Sequence, residues 1–220
     1  MERKMVLPGE FIIEGDLRLG EGVFREDKRV YSSVMGLLEL KESYVRVIPL
    51  TGRYIPKVMD FVIGEIEDMD FSSWYADIGS AYSATITARD YFSERDGFQE
   101  DISKAMGMGD TVYAMIREIS PRKRVFLTMR ERGARKLKGG RIIECTPAKV
   151  PRIIGKKGSM ISMIKKETGC QVLVGQNGRI WIDGTPEMAD LVAKIIEKIE
   201  KDAHISGLTE SIKNMMIKER

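Results

Sequence analysis

The chain has 220 residues, 43% of them hydrophobic and 31% charged, with a formal net charge of +3. At roughly 100–200 residues per domain, that length admits one large domain or two to three small ones. The apolar content excludes a disordered chain or a coiled-coil rod. No run approaches the roughly 18 uncharged apolar residues of a membrane span. The opening Met1-Glu2-Arg3-Lys4 leads into Val6-Leu7-Pro8-Gly9 and not into the apolar core of a signal peptide, so the cytoplasm is the expected compartment. Two cysteines, Cys145 and Cys170, make neither a disulfide framework nor a zinc site. A single His204 leaves metal-dependent and Ser/His chemistry short of groups. The reading is of a protein with no catalytic residue, no metal, no cofactor and no small-molecule substrate.

Charge is unevenly spread. Residues 1–59 carry 10 basic and 9 acidic side chains, residues 60–120 carry 4 and 13, and residues 121–220 carry 22 and 11. Residues 121–166 alone hold 15 basic side chains against Glu131 and Glu144. Such a stretch attracts a polyanion by counterion release, nucleic acid first. The competing reading is that Arg122, Lys123, Arg124, Arg130, Arg132, Arg135, Lys136 and Lys138 form a solvated connector paired with the acidic segment before it. Charge alone leaves the two even.

In chain order, residues 1–55 predict a small β module, with strands at Phe11-Ile12-Ile13, Val30-Tyr31, Ser33-Val34, 36–40 and 44–50 between Gly- and charge-rich turns. Residues 56–132 predict five further strands, at 61–67, 74–78, 82–87, 111–116 and 124–129, interrupted by an acidic irregular stretch over 90–105. Five strands in about 75 residues suggest a small OB barrel. Within it, 58–66 is a near-repeat of 108–116, each a turn delivering a strand. Alternation points Trp74, Ala76 and Ile78 inward and Tyr75 to the open face. Tyr75 is therefore a candidate base-stacking residue, with Arg122, Lys123 and Arg130 as candidate cations. The bland alternative, that Tyr75 and Tyr82 are half-buried packing residues, carries equal weight. Gly109-Asp110 opening a strand, Ile119, the Pro121-Arg122-Lys123 turn and Val125-Phe126-Leu127-Thr128-Met129-Arg130 together resemble an S1-type RNA-binding OB domain. Met59 stands where that family commonly has Gly.

Residues 133–220 change period. A strand at 141–146, a short helix at 149–154, a second at 159–167 stopped by Gly169, strands at 170–174 and 179–183 flanking Asn177-Gly178, and a long helix over 186–203 give the order β-α-α-β-β-α. On the long helix, Met188, Leu191, Val192, Ile195, Ile196 and Ile199 form one apolar stripe. Between the two short helices stands Ile153-Ile154-Gly155-Lys156-Lys157-Gly158-Ser159. A GxxG turn in this frame defines a type I KH domain, whose turn clamps the backbone of about four nucleotides. Glycines admit the sugar-phosphate chain without a Cβ collision, the N–H groups opening the second helix face the anion, and lysines supply charge. The expected contact residues are Arg152, Ile154, Gly155, Lys156, Lys157, Gly158 and Ser159, with Ile154, Ile161 and strand residues near Val172 lining an apolar groove. Cys145 and Cys170 read as buried reduced thiols in neighbouring strands, His204 as a surface residue, and the 14 methionines as core filler. Asp68, Asp70 and Asp77 show no metal-ligand spacing. Glycines 133, 139 and 140 suggest hinge freedom between barrel and KH domain.

A mainly β chain ending in α+β, with an N-terminal β module, an S1-type barrel and a KH domain with a C-terminal helical tail, resembles the RNA-binding cap subunit of the archaeal exosome. The residues that carry the resemblance include Val6-Leu7-Pro8-Gly9, Val45-Arg46-Val47-Ile48-Pro49-Leu50-Thr51-Gly52-Arg53-Tyr54, 150–161, Val174-Gly175-Gln176-Asn177-Gly178 and Ala203-His204-Ile205-Ser206-Gly207-Leu208-Thr209. The resemblance implies that three caps sit on a hexameric ring of RNase PH-like subunits, chiefly through the N-terminal module. It also implies that the ring degrades RNA from its 3′ end by phosphorolysis while the cap, without an active site, supplies single-stranded RNA affinity and threading. An intact GxxG leans to the archaeal branch. The alternative is a free-standing S1/KH factor of translation or ribosome assembly.

Overall fold

In the computed structural model, residues 4–92, 102–202 and 208–218 are described. They form two compact units that part between Gly52 and Arg53. His204 and most of the irregular acidic stretch lie outside the described residues.

The first unit is all β. One sheet contains β1 (Met5–Val6), β3 (Arg18–Leu19), β6 (Gly36–Lys41) and β7 (Tyr44–Pro49) in the order β1-β6-β7-β3, and the other orders β2 (Phe11–Glu14), β5 (Arg29–Ser32) and β4 (Val23–Glu26) as β2-β5-β4. Val6, Val30, Val45 and Val47 are buried, and Glu39 faces Arg46 across the β6–β7 hairpin. Ser33-Val34, expected as a strand, is a bend instead. The Ser32 hydroxyl donates to the Val34 carbonyl at 2.6 Å and folds the chain back on itself.

The second unit opens with the barrel: β8 (Phe61–Met69), β9 (Ser73–Asp77), β10 (Ala84–Thr87), β11 (Thr111–Ile119), β12 (Val125–Thr128) and β13 (Arg135–Leu137), with a short helix α1 (Ala88–Tyr91) after β10. β8, β9, β10, β12 and β11 close a ring in that order, since β12 pairs parallel to β10 and antiparallel to β11. This is a five-stranded OB-type barrel of the S1 kind. Trp74, Ala76 and Ile78 point into its core as expected, and the Trp74 indole N–H donates to the Met106 carbonyl at 2.9 Å. The near-repeat proves to be a pairing: β8 and β11 lie antiparallel. The N–H of Met59 reaches the Ile116 carbonyl and the N–H of Gly109 the Ile66 carbonyl, both at 2.8 Å. Met59 sits at φ 75° and Gly109 at φ 83°, so Met59 adopts a glycine-type conformation that its copy fills with glycine.

The KH part follows as β14 (Arg141–Glu144), α2 (Val150–Ile154), α3 (Ser159–Thr168), β15 (Gln171–Val174), β16 (Arg179–Asp183), α4 (Pro186–Lys201) and α5 (Leu208–Lys218), its antiparallel sheet ordered β14-β16-β15. Thr185 caps α4, and Leu191, Val192, Ile195, Ile196 and Ile199 bury the expected stripe against Val150, Ile153, Ile164, Ile180 and Ile182. Met188 is only half-buried. Cys145 and Cys170 are buried free thiols, but they flank β14 and β15, the two outer strands with β16 between them, and so are not in neighbouring strands.

The hinge expectation is overturned. Residues 135–137, on the KH side of the boundary drawn at 132/133, pair with β11 and extend the barrel sheet. The β15–β16 turn then locks onto the barrel. β8 outruns its partner β9 at Phe61 and Ile63, and the turn fills the unpaired edge. The Gln176 N–H donates to the Phe61 carbonyl at 2.7 Å. The Asn177 amide donates to the Ile63 and Ile78 carbonyls at 2.7 and 2.9 Å and accepts from the Ile63 N–H at 3.2 Å. Arg179 donates to the Asp77 carbonyl at 2.9 Å and pairs with the Asp77 carboxylate. Ile63, Leu137 and Trp181 form a small core of their own beside Tyr113 and Leu173.

Candidate nucleic-acid interface

The GxxG turn is built from backbone geometry first. α2 ends at Ile154, and Gly155 follows at φ 75°, ψ 174°. A Cβ there would lie 2.7 Å from Met160 Cβ and 2.8 Å from its N, so only glycine fits. Lys157 is left-handed at φ 53°, ψ 30°, and Gly158, at φ 79°, caps the start of α3. A lysine in that conformation costs roughly 1–2 kcal/mol relative to the right-handed one, and strain of this kind concentrates at ligand clamps. Arg152, Lys156, Lys157 and Ser159 are exposed, and neither lysine nor Arg152 has an ion-pair partner among the described residues. The arrangement presents the N-terminal N–H groups of α3 behind two unneutralised cations.

The apolar groove differs from expectation in one member. Ile154 and Ile161 are half-buried against the KH core, but Val172 is 1% exposed and belongs to that core. Strand alternation turns Val172 towards the helices and Leu173 towards the barrel.

The barrel candidates do not converge. Tyr75 is 37% exposed, and its hydroxyl donates to Asp70 at 2.7 Å. N–H donors from Ser72 and this hydroxyl hold the Asp70 carboxyl below its ordinary range, and Asp70 and Asp68 make the surroundings of Tyr75 anionic. Arg124, which was not a candidate, is the cation beside it. Lys123 leans over the Tyr82 ring at 5.3 Å, and Arg130 donates to the Phe92 carbonyl at 2.8 Å. They flank opposite ends of β12, so up to about 23 Å of strand separates them. Arg122 is exposed in the turn. Tyr82 is half-buried packing. Asp77, one of the three aspartates without metal-ligand spacing, is engaged by Arg179. Burial works against its carboxylate, yet Arg179 and the Gly79 N–H outweigh that and lower its pKa.

The connector reading of the basic segment is realised at Lys136. Lys136 pairs with Asp110 at 2.5 Å, joining the basic and acidic segments, and Arg117 pairs with buried Asp90 at 2.9 Å inside the acidic one. Two features were missed. Asn177 read as a turn signal, although its side chain is buried. Asp77 is the one charge on β9 and Arg179 one of two on β16, which Asp183 ends, so residue type alone does not single out the pair. Burial, with a smaller contribution from Glu200, pushes the Cys145 thiol up to about 12, so no thiolate chemistry resides there.

Residues 3–51 match the family model of the Exosome RNA binding protein RRP4 N-terminal domain, and residues 140–188 match that of the KH domain. The chain is 46% identical over 219 residues to the Exosome complex component Rrp4 of Pyrococcus furiosus, covering 98% of this chain and 83% of that one. It is 43% identical over 217 residues to the protein of the same name from Methanothermus fervidus, covering 99% and 96%. The chain belongs to the Rrp4 family of exosome complex components. A crystal structure named, provisionally, as that of an exosome complex RNA-binding protein superposes with a TM-score of 0.66 at 31% identity, over 77% of this chain and 98% of that one. Both Rrp4 relatives are archaeal. No helix among the described residues is long and apolar enough to cross a membrane.

Proposed function

We propose that this Rrp4-family chain is a non-catalytic RNA-binding cap of an exosome, acting in the cytoplasm. In this reading residues 1–55 dock on a hexameric RNase PH-like ring that carries three caps. Residues 56–132 form an S1-type RNA-binding barrel, and residues 133–220 capture single-stranded RNA through Arg152, Ile154, Gly155, Lys156, Lys157, Gly158 and Ser159. The captured strand is handed to the ring 3′ end first for phosphorolysis. The observation that carries the reading is the exposed, unneutralised Lys156-Lys157 pair on a strained glycine-flanked turn at the start of α3.

The test is binding of a fluorescent single-stranded RNA to the wild type and to Lys156→Asp/Lys157→Asp, its fold checked by melting. Single strands give a salt slope of about −0.7 per phosphate neutralised, so loss of two contacts flattens the slope by about 1.4. Unchanged affinity and slope would move the RNA away from the turn. Deleting residues 1–55 separates this reading from a free-standing S1/KH factor. A cap loses ring assembly and keeps RNA binding, whereas a free-standing factor has no assembly to lose.

A further inference from the structure

At the far end of α3 the barrel reaches the KH domain with a second pair of cations. Arg135, on β13, lies over the Trp181 ring with its guanidinium carbon 5.6 Å from the centroid and donates to the Gln171 side chain at 3.3 Å. Gln171 opens β15, directly after α3 and its Gly169-Cys170 exit. Lys165 stands in the last turn of α3, close enough to Arg135 for that charge to lower its pKa, an effect second to partial desolvation of the lysine. Both side chains are exposed, and neither has a carboxylate partner among the described residues. Stacking on Trp181 accounts for where Arg135 sits. It does not account for a second cation beside it that faces the partial negative charge of the α3 C-terminus but no carboxylate, so that the two full positive charges repel each other.

The two ends of α3 are joined by a polar track. Ser159, Ser162, Lys165 and Lys166 are all exposed and follow one another at i, i+3, i+6 and i+7. Lys165 stands six residues after Ser159, so about 9 Å of helix axis separates the GxxG end from Lys165. Because β13 is hydrogen-bonded into the barrel sheet and the β15–β16 turn is locked to β8, the place of Arg135 relative to α3 and its GxxG turn is fixed by the fold.

We infer that Arg135 and Lys165 form a second contact point for the phosphate backbone of single-stranded RNA, so that one strand runs from Gly155-Lys156-Lys157-Gly158 along the outer side of α3 to β13 of the barrel. The inference rests on the proposed role of the KH turn. It assigns to a barrel arginine a phosphate contact that a KH domain alone does not contain.

The experiment compares an RNA of about four nucleotides, the span of a KH groove, with one of about twelve. The full-length wild type, Arg135→Gln/Lys165→Gln and Lys156→Asp/Lys157→Asp are each titrated at 50 and 200 mM salt. The Arg135/Lys165 variant should bind the short RNA as the wild type does and lose slope only on the long one. At about 0.7 per phosphate, the wild type then loses roughly sevenfold more affinity for the long RNA between the two salts than the variant does. Lys165→Gln alone, which leaves the Arg135–Trp181 stack intact, should give about half that change in slope. If the Arg135/Lys165 variant matches the wild type on the long RNA while Lys156→Asp/Lys157→Asp weakens both lengths, the second contact is refuted and the turn stands. If Lys156→Asp/Lys157→Asp changes neither length, the KH reading fails and takes this one with it.

Discussion

Asn177 gives the sharpest test of how barrel and KH domain are joined. Its buried amide completes the hydrogen bonding of β8 where β9 has ended, donating to the Ile63 and Ile78 carbonyls and accepting from the Ile63 N–H. Asn177→Ala removes all three bonds and leaves two carbonyls and one N–H buried without partners. Each orphaned backbone group costs about 1–3 kcal/mol, so even the lower bound gives about 3 kcal/mol. For a body of this size about 2–4 °C is lost per kcal/mol, and the melting temperature should fall by roughly 6–12 °C. Asn177→Asp keeps the shape and the acceptor but cannot donate to either carbonyl, so it should be no better tolerated. Gln176→Ala is the control, because Gln176 contributes only its backbone N–H to Phe61 and should stay within about 0.5 kcal/mol of wild type. Thermal melting followed by circular dichroism reads all three. A change of less than about 2 °C for Asn177→Ala, or equal effects for Asn177→Ala and Gln176→Ala, would refute the argument that the side chain holds the junction.

Two further outcomes follow from local geometry. Asp77→Asn should be less stable than wild type at neutral pH. The folded-state pKa of Asp77 is depressed, so its contribution is fully present above the ordinary carboxylate value of 3.8 and is lost as pH falls through the lowered one. Melting curves of the two proteins should therefore converge below that value, and a gap that persists into strong acid would contradict the Arg179 assignment. Met59→Gly should stabilise by about 0.5–1 kcal/mol, because the residue is exposed, holds φ 75°, and gains more from relief of left-handed strain than glycine loses in the unfolded chain; urea melts decide the sign.

What could be read from the sequence depended on how local the cause was. The KH order was legible because α3 and α4 carry helical periodicity and Gly169 an ordinary stop, and the five barrel strands because each alternates over four or more residues. Met5–Val6, Arg18–Leu19 and Arg135–Leu137 were not legible as strands. Two or three residues show no period, and each is made a strand by a partner far along the chain, such as β11 for Arg135–Leu137. The same limit explains the site. The GxxG turn is a local motif and was found whole. Tyr75, Lys123 and Arg130 share only a residue-type rationale, and the length of β12 keeps Lys123 and Arg130 apart. The Arg135–Trp181 contact joins two modules and leaves no trace at either position alone.

Gly139 and Gly140 show how the same residue type can mean opposite things. Two glycines in a basic connector suggest freedom to swing, yet both sit at left-handed φ, 64° and 69°. The Gly139 carbonyl accepts the Trp181 indole N–H at 2.8 Å. A Cβ on Gly140 would lie 2.6 Å from the Ile182 carbonyl oxygen and 2.7 Å from Trp181 Nε1, whereas one on Gly139 would meet nothing within 4 Å. Glycine at 140 thus permits close approach of two chain segments and is not a swivel. Gly139→Ala should cost about 1 kcal/mol, the strain of alanine in the left-handed region. Gly140→Ala carries that strain and a collision with backbone as well, so it should cost clearly more and disturb the near-ultraviolet signal of Trp181. If the pair were a hinge, both alanines would stiffen the unfolded chain and raise the melting temperature together. Equal, stabilising effects would therefore restore the hinge and dissolve the fixed distance between the GxxG turn and Arg135.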